Sequence, residues 1–442
     1  MTTPICDFVR NYKEKQSLRL HMPGHKGVNM LGFENLDITE IDGADSLYEA
    51  SGIIAQSEAN ASQLFGCDTF YSAEGSSQCI RAMLYLACAG ADKRPLVFAG
   101  RNAHKTFLSA AALIDFDVEW LYGEKQGNYL YCDISAEYLE KALQKAEKKP
   151  LAVYITSPDY LGNVADIKSL AEVCHRYGTM LLVDNAHGAY LKFMPQSQHP
   201  VDKGADMCCD SAHKTLPVVT GGAYLHIADS VAEKLSPMAK NALAMFGSTS
   251  PSYIIMQSLD MANKYISEGY AEKLKQFCGN MDNIKAELKK YGFQLAGDEA
   301  LKITVNTKNY GYKGTEFAEI LAEKNIICEF CDPDFAVFMF TPEISAEQLE
   351  YFVKTVCDIP KKEKINENPP VQHIPCREMS VRDAAFSASE EVDVDNAVGR
   401  VLSAASVGCP PAVPIVVCGE IIDAQAKEIF KYYGIEKCCV VK

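Results

Sequence analysis

The stretch Ser211-Ala-His-Lys-Thr-Leu-Pro217, read with the upstream run Met180-Leu-Leu-Val-Asp184, decides how this chain folds and where its chemistry sits. Met180 to Asp184 is apolar throughout with its one charge last, the pattern of a parallel strand buried on both faces. Open α/β sheets bind ligands at the carboxyl ends of such strands. An aspartate there suits a protonated pyridine nitrogen, which must stay charged for a pyridoxal ring to draw off electrons. Lys214 supplies the amine that would carry the cofactor aldehyde, helped by burial and by the neighbouring His213, both of which favour loss of its proton. Asp184 and Lys214 together point to pyridoxal 5'-phosphate.

Outward from this pair, the sequence carries LHMPGHKG (Leu20 to Gly27), LDITEIDGADSL (Leu36 to Leu47), RNAHK (Arg101 to Lys105), DNAHGA (Asp184 to Ala189), TGGAYLHI, STSPSY (Ser248 to Tyr253) and VPIVVCGE (Val413 to Glu420). This series, in this order and along nearly the whole chain, resembles the ornithine/lysine/arginine decarboxylases. The resemblance implies a fold-type I pyridoxal phosphate enzyme: an α/β large domain with a mainly parallel sheet, a small α+β domain and a C-terminal α/β domain. It also implies polyamine biosynthesis and a homodimer or higher homo-oligomer with shared active sites.

Residue by residue, the resemblance makes Lys214 the cofactor lysine, Asp184 the pyridinium partner and His104 the group stacked on the ring. It gives the phosphate to Gly75, Ser76, Ser77, Ser211 and His213, and sets His187 against the ring oxygen or the substrate carboxylate. Ser248 and Thr249 resemble the pair that reaches the phosphate from the second subunit. Lys26 and Lys105 also follow histidines, and only the family's order of motifs favours Lys214 over them. Departures are present: Asn185 stands where an acidic residue is usual, the phosphate turn reads Ser76-Ser77-Gln78, and the arm's acidic pair is reduced to Asp45-Ser46. No stretch of the sequence resembles the extra domain of the long, acid-induced members, so a short, constitutive form is expected.

From the residues themselves, Glu74-Gly75-Ser76-Ser77 is a small-residue turn between a strand and a helix, fit either to receive a phosphate or to serve as an ordinary cap. It lacks the Walker pattern and GxGxxG, which disfavours a nucleotide. Strands are expected at 69–73, 95–99, 118–122, 151–156, 180–184 and 222–227, with helices at 135–148 and at 167–177, the latter capped by Asp166 and closed by Gly178. The expected divisions are an arm (1–56), a cofactor-binding large domain (57–268), a small domain (269–360), a proline- and charge-rich linker (361–375) and a C-terminal domain (376–442).

The chain has 442 residues, 48% hydrophobic and 23% charged, with a net charge of -15. That charge argues against nucleic acid as a partner and is compatible with a cationic substrate. No apolar run reaches the eighteen or so residues of a membrane span, and the start lacks a signal peptide's apolar stretch, so a cytoplasmic address without membrane contact is expected. The 17 cysteines are odd in number and include adjacent pairs, which suits reduced, packed thiols. The CxxC at Cys328 to Cys331 lacks a second ligand pair, so no metal is expected.

No arginine lies between Arg176 and Arg377. Fold-type I aminotransferases usually clamp the substrate carboxylate with an arginine from the small domain, and a carboxylate left unclamped is easier to expel as carbon dioxide. Arg377 and Arg382 remain able to fold back. The expected reaction is decarboxylation of lysine, arginine or ornithine. The alternatives are an aminotransferase or carbon-sulfur lyase on the same fold, or an inactive cofactor-binding protein. A basic side chain must be met by a carboxylate when desolvated, and Glu420 and Asp45 are the candidates.

Overall fold

The computed structural model describes residues 1–91, 93–124, 129–404, 407–409 and 413–442. The chain divides into two compact units, one of residues 1–89 and 180–274, the other of 90–179 and 275–442. Seven strands carry the α/β part: β1 (Asp68–Ser72), β2 (Leu96–Gly100), β3 (Asp117–Leu121), β4 (Ala152–Thr156), β5 (Met180–Asp184), β6 (Met207–Asp210) and β7 (Ala223–Ile227). Their pairings are mainly parallel.

In the first unit the order is β1-β7-β6-β5. Strands β5 and β6 are parallel, with Asp184 opposite Cys209 in the last ladder pair, while β7 is antiparallel to both β6 and β1. Every residue of β6 and β7 is buried, which accounts for their mostly apolar character, Asp210 and His226 being the buried polar exceptions. The segment 1–52 begins with a helix, Pro4–Glu14, docked by one carboxylate: Oδ2 of Asp260 accepts the amides of Ile5 and Cys6 at 3.0 Å each, and Oδ1 accepts Ser57 Oγ at 2.6 Å. Beyond it, Leu18, Leu20, Met30 and Leu31 are all at least 76% exposed, far more apolar surface than an isolated arm keeps in water.

In the second unit the order is β4-β2-β3, parallel throughout. The helices Ala136–Lys145 and Ile167–Arg176 occupy the expected places; Asp166 accepts the Ser169 amide and Gly178 sits at φ +60. Downstream, β8 (Gln294–Ala296), β9 (Lys302–Asn306), β10 (Phe330–Cys331) and β11 (Phe335–Met339) form an antiparallel sheet in the order β10-β11-β9-β8, and residues 360–370 hold no regular structure. Near the C-terminus, β12 (Ser389–Asp393) pairs with β15 (Lys437–Val441), and β13 (Val407–Cys409) with β14 (Val413–Val416). One buried cluster joins Ile415, Phe430 and Val440 of this region to Phe335, Tyr129 and Leu130. No helix among the described residues is long and apolar enough to cross a membrane.

Two elements depart from the sequence reading. Helix Pro4–Glu14 lies in a stretch read as an arm without strong periodicity. Strand β6 was not anticipated, because four residues, two of them cysteines, give too short a run for periodicity to register.

Candidate active site

The site in the first unit is built on the ends of β1, β5 and β6. After β1 the chain turns at Gly75, whose φ of +73 lies in the region that glycine enters without cost, and its amide donates to Gly221 O at 2.7 Å. The helix Ser76–Cys88 then starts with no side-chain cap. Its first amides and partial positive charge are what an anion would complement. Ser211 Oγ, at the end of β6, donates to Ser76 Oγ at 2.8 Å, which brings two hydroxyls to that helix start. An added Cβ at Gly75 would meet nothing within 4 Å, so the cradle is open on that side.

Asp184 ends β5 and is 2% exposed; its Oδ1 accepts the Ala186 amide at 3.2 Å and faces Cys209 Sγ at 3.8 Å. The turn that follows delivers His187, itself buried, to the lysine: His187 Nε2 lies 3.1 Å from Lys214 Nζ. Lys214 sits in a single helical turn, Ala212–Thr215, directly after β6. His213 Nδ1 lies 2.9 Å from Gly222 O, and because a carbonyl only accepts, that nitrogen carries the proton. The donor set fits pyridoxal phosphate: an uncapped helix start with two hydroxyls for the phosphate, a buried carboxylate at a strand end for the ring nitrogen, and an amine in contact with an imidazole.

Other expected site residues are placed as follows. Within the second unit, His104 caps the helix Lys105–Ile114, its Nδ1 accepting from Thr106 N at 3.2 Å and lying 2.9 Å from Thr106 Oγ1. Ser248 and Thr249 are exposed, and the Ser248 amide donates to Glu74 Oε1 at 3.0 Å. Lys105 is exposed, and Lys26 Nζ donates to His21 O at 2.5 Å.

The two carboxylates considered for a substrate cation are both engaged by the chain. Asp45 accepts five backbone amides, from Ser46, Ser51, Gly52, Ile54 and Ala55, and so caps the helix Ile53–Phe65. Those amides outweigh what burial there remains and hold its carboxyl below the usual range. Glu420 is 3% exposed; its Oε2 accepts Arg101 Nη2 at 3.1 Å and the Val417 amide at 2.7 Å. Burial pushes this carboxyl up against the pull of Arg101. Arg101 itself is fully buried and also donates to Pro414 O and Ile415 O at 3.1 Å each. In the sequence Arg101 stands out only as part of RNAHK; the carboxylate and carbonyls it binds lie more than 300 positions away.

Arg377 and Arg382 do not reach the carboxyl ends of the strands of their own unit. Arg377 binds Asp117 Oδ1 at 3.1 Å and Val118 O at 3.3 Å, at the amino end of β3, and Arg382 donates to Ala112 O at 2.7 Å.

A family model for the major domain of the Orn/Lys/Arg decarboxylases matches residues 3–303, and one for their C-terminal domain matches residues 366–438. The chain belongs to the Orn/Lys/Arg decarboxylase family. It is 28% identical to an arginine decarboxylase of Bacillus subtilis, over 97% of this chain and 93% of that protein. The crystal structure of a Francisella novicida lysine decarboxylase is similar to it with a TM-score of 0.81 at 15% identity, covering 100% of this chain and 81% of that one. The constitutive lysine decarboxylase of E. coli gives a TM-score of 0.76, also at 15% identity, over 100% of this chain and 82% of that one. The fold is accordingly that of the fold-type I pyridoxal phosphate enzymes.

Proposed function

We propose that this chain binds pyridoxal 5'-phosphate at Lys214 and decarboxylates a basic amino acid. The observation that carries the reading is the contact of Lys214 with His187, in the turn that follows the buried Asp184. Pyridoxal phosphate, when bound, withdraws electrons from the bond that breaks at the substrate's α carbon. Asp184 holds a proton on the ring nitrogen by its charge. The amides of Ser76 and Ser77 and the hydroxyls of Ser76 and Ser211 bind the phosphate at the helix start, with Gly75 keeping the backbone close and His213 beside them. His187 would take or return a proton at the Lys214 amine.

Decarboxylation is favoured over transamination by the arginines. None lies between positions 177 and 376, and Arg377 and Arg382 are tied to the amino end of β3 and to the helix before it. The small domain therefore supplies no arginine for the bidentate clamp that would retain the substrate's carboxylate. The basic side chain is supported by the relatives, named as arginine and lysine decarboxylases, and by the net charge of -15. A homodimer with shared sites is supported by the exposed apolar residues of the arm and by exposed Ser248 and Thr249.

The test is to offer lysine, arginine and ornithine to the purified protein and measure carbon dioxide and amine. One of the three should be turned over with equal yields of both. Release of a keto acid or of sulfide would instead favour the aminotransferase or lyase, and no turnover with cofactor bound would favour the inactive protein.

A further inference from the structure

A second polar cluster lies beneath the site, and neither the sequence reading nor the proposed chemistry uses it. Asp210, the last residue of β6, is fully buried. Its Oδ1 accepts Asn185 Nδ2 at 2.6 Å, and its Oδ2 lies 3.2 Å from Nε2 of both His199 and His226. Asn185, His199 and His226 are likewise at 0% exposure. The far nitrogen of the His226 ring, Nδ1, meets Thr69 Oγ1 at 2.9 Å. A buried carboxylate is costly unless every lone pair is met, and here, in spite of burial, the two imidazoles hold its pKa well below the usual carboxylate range.

The cluster's position gives it a task. Asp184 and Cys209 form the last ladder pair of β5 and β6, and the Asn185 amide still reaches Cys209 O at 3.0 Å. One residue further, the Asn185–Asp210 side-chain bond continues the pairing where the backbone ladder has ended. Asn185 follows Asp184 and stands two residues before His187; Asp210 precedes Ser211 and stands four before Lys214. The turn closes on Asn185: the Gly188 amide donates to its backbone carbonyl at 2.8 Å, and a Cβ at Gly188 would come within 2.0 Å of its side-chain Oδ1.

We infer that Asn185 and Asp210 are positioning residues, whose buried bond, backed by His199 and His226, fixes the ends of β5 and β6 so that Asp184 and His187 meet Ser211 and Lys214 across one cofactor. The inference rests on the reading that Lys214 and Asp184 hold pyridoxal phosphate. His199, Cys208 and Asp210 also present donor atoms within 4.8 Å of one another, the spacing of a metal site. Hydrogen bonding accounts for them better, because both imidazoles lie at hydrogen-bond distance from the same carboxylate oxygen.

Asp210→Asn and Asn185→Ala, made in the full chain, test this by two readouts on folded protein: the dissociation constant for pyridoxal phosphate and the visible circular dichroism of the bound cofactor, which reports how the ring is held. Both variants should bind the cofactor about tenfold more weakly or worse, the loss expected when a hydrogen bond to a buried charge is removed, and both should alter the visible band. Asp260→Asn, which removes a buried carboxylate elsewhere in the same unit, should lower stability and leave that band as in the parent. If Asp210→Asn does not fold, Asn185→Ala decides. Parent-like affinity and visible dichroism in the folded variants would overturn the inference, as would stoichiometric zinc in the purified parent, which would make the histidines ligands. A parent without any visible cofactor band would instead defeat the underlying reading of the site.

Discussion

Lys214 Nζ and His187 Nε2 stand 3.1 Å apart, with His187 three residues beyond the buried Asp184. Strand β5 ends in Asp184, the proposed pyridinium partner, and the turn after it returns an imidazole to the amine that follows β6. A group so placed acts as a proton carrier, and general acid-base groups contribute about 10²- to 10⁴-fold to rate. His187→Ala should therefore lower kcat about a hundredfold while the cofactor stays bound. A kcat within about twofold of the parent would remove His187 from proton transfer.

If, as proposed, the sites are shared between subunits, a mixing experiment is decisive. Lys214→Ala and the double variant Ser248→Ala, Thr249→Ala should each be inactive alone. Hybrid dimers formed by subunit exchange should regain activity, because one site then holds an intact lysine and an intact Ser248-Thr249 pair. No recovery with exchange demonstrated would confine those residues to their own subunit or place them outside any site.

Glu420 is half of a fully buried pair with Arg101. Removing one partner of such a pair strands the other charge, at a cost of about 3–5 kcal/mol. Glu420→Gln should accordingly lower the urea midpoint clearly, with a parent-like KM for the amino acid in the protein that remains folded. A raised KM at parent-like stability would make Glu420 a substrate contact instead.

Asp332 shows how stability should vary with pH. Burial pushes its carboxyl up to about 7 from an ordinary 3.8, although the amides of Asp334 and Phe335, each at 2.7 Å, pull the other way. Between those two values the folded chain holds a proton that the unfolded chain has lost, so stability falls as pH rises from about 4 to about 7 and the group adds no further slope above that. Asp332→Asn should flatten this dependence and stabilise the protein by about 2–4 kcal/mol at pH 8. Some slope should remain, because burial also pushes Asp159 up, to about 6. Unfolding midpoints that run parallel to the parent's between pH 5 and 8 would contradict this assignment.

What sequence alone reveals here follows the range of the interaction. Strand Met180–Asp184 was legible to the residue, because a continuous apolar run closed by a charge is a local signal, and Asp166 with Gly178 marked the helix between them in the same way. SAHKTLP stands out as a candidate site because the chemistry proposed for it is carried by adjacent residues. Strand β6 escaped because Met207-Cys-Cys-Asp210 is brief and carries no β-branched residue. Glu420 could be read as sitting at a strand end, but not as facing Arg101, 319 positions away. Asp210 looked like no more than the residue before the motif, since its partners come from the turn after β5, from β7 and from His199.

Borohydride reduction of the purified protein, followed by peptide mapping, shows whether Lys214 carries the cofactor. One labelled peptide is expected, spanning Ser211 to Pro217 with the mass of the reduced cofactor on Lys214, and no label on the Lys214→Ala variant. Label on Lys26 or Lys105, or no label on any lysine, would contradict it.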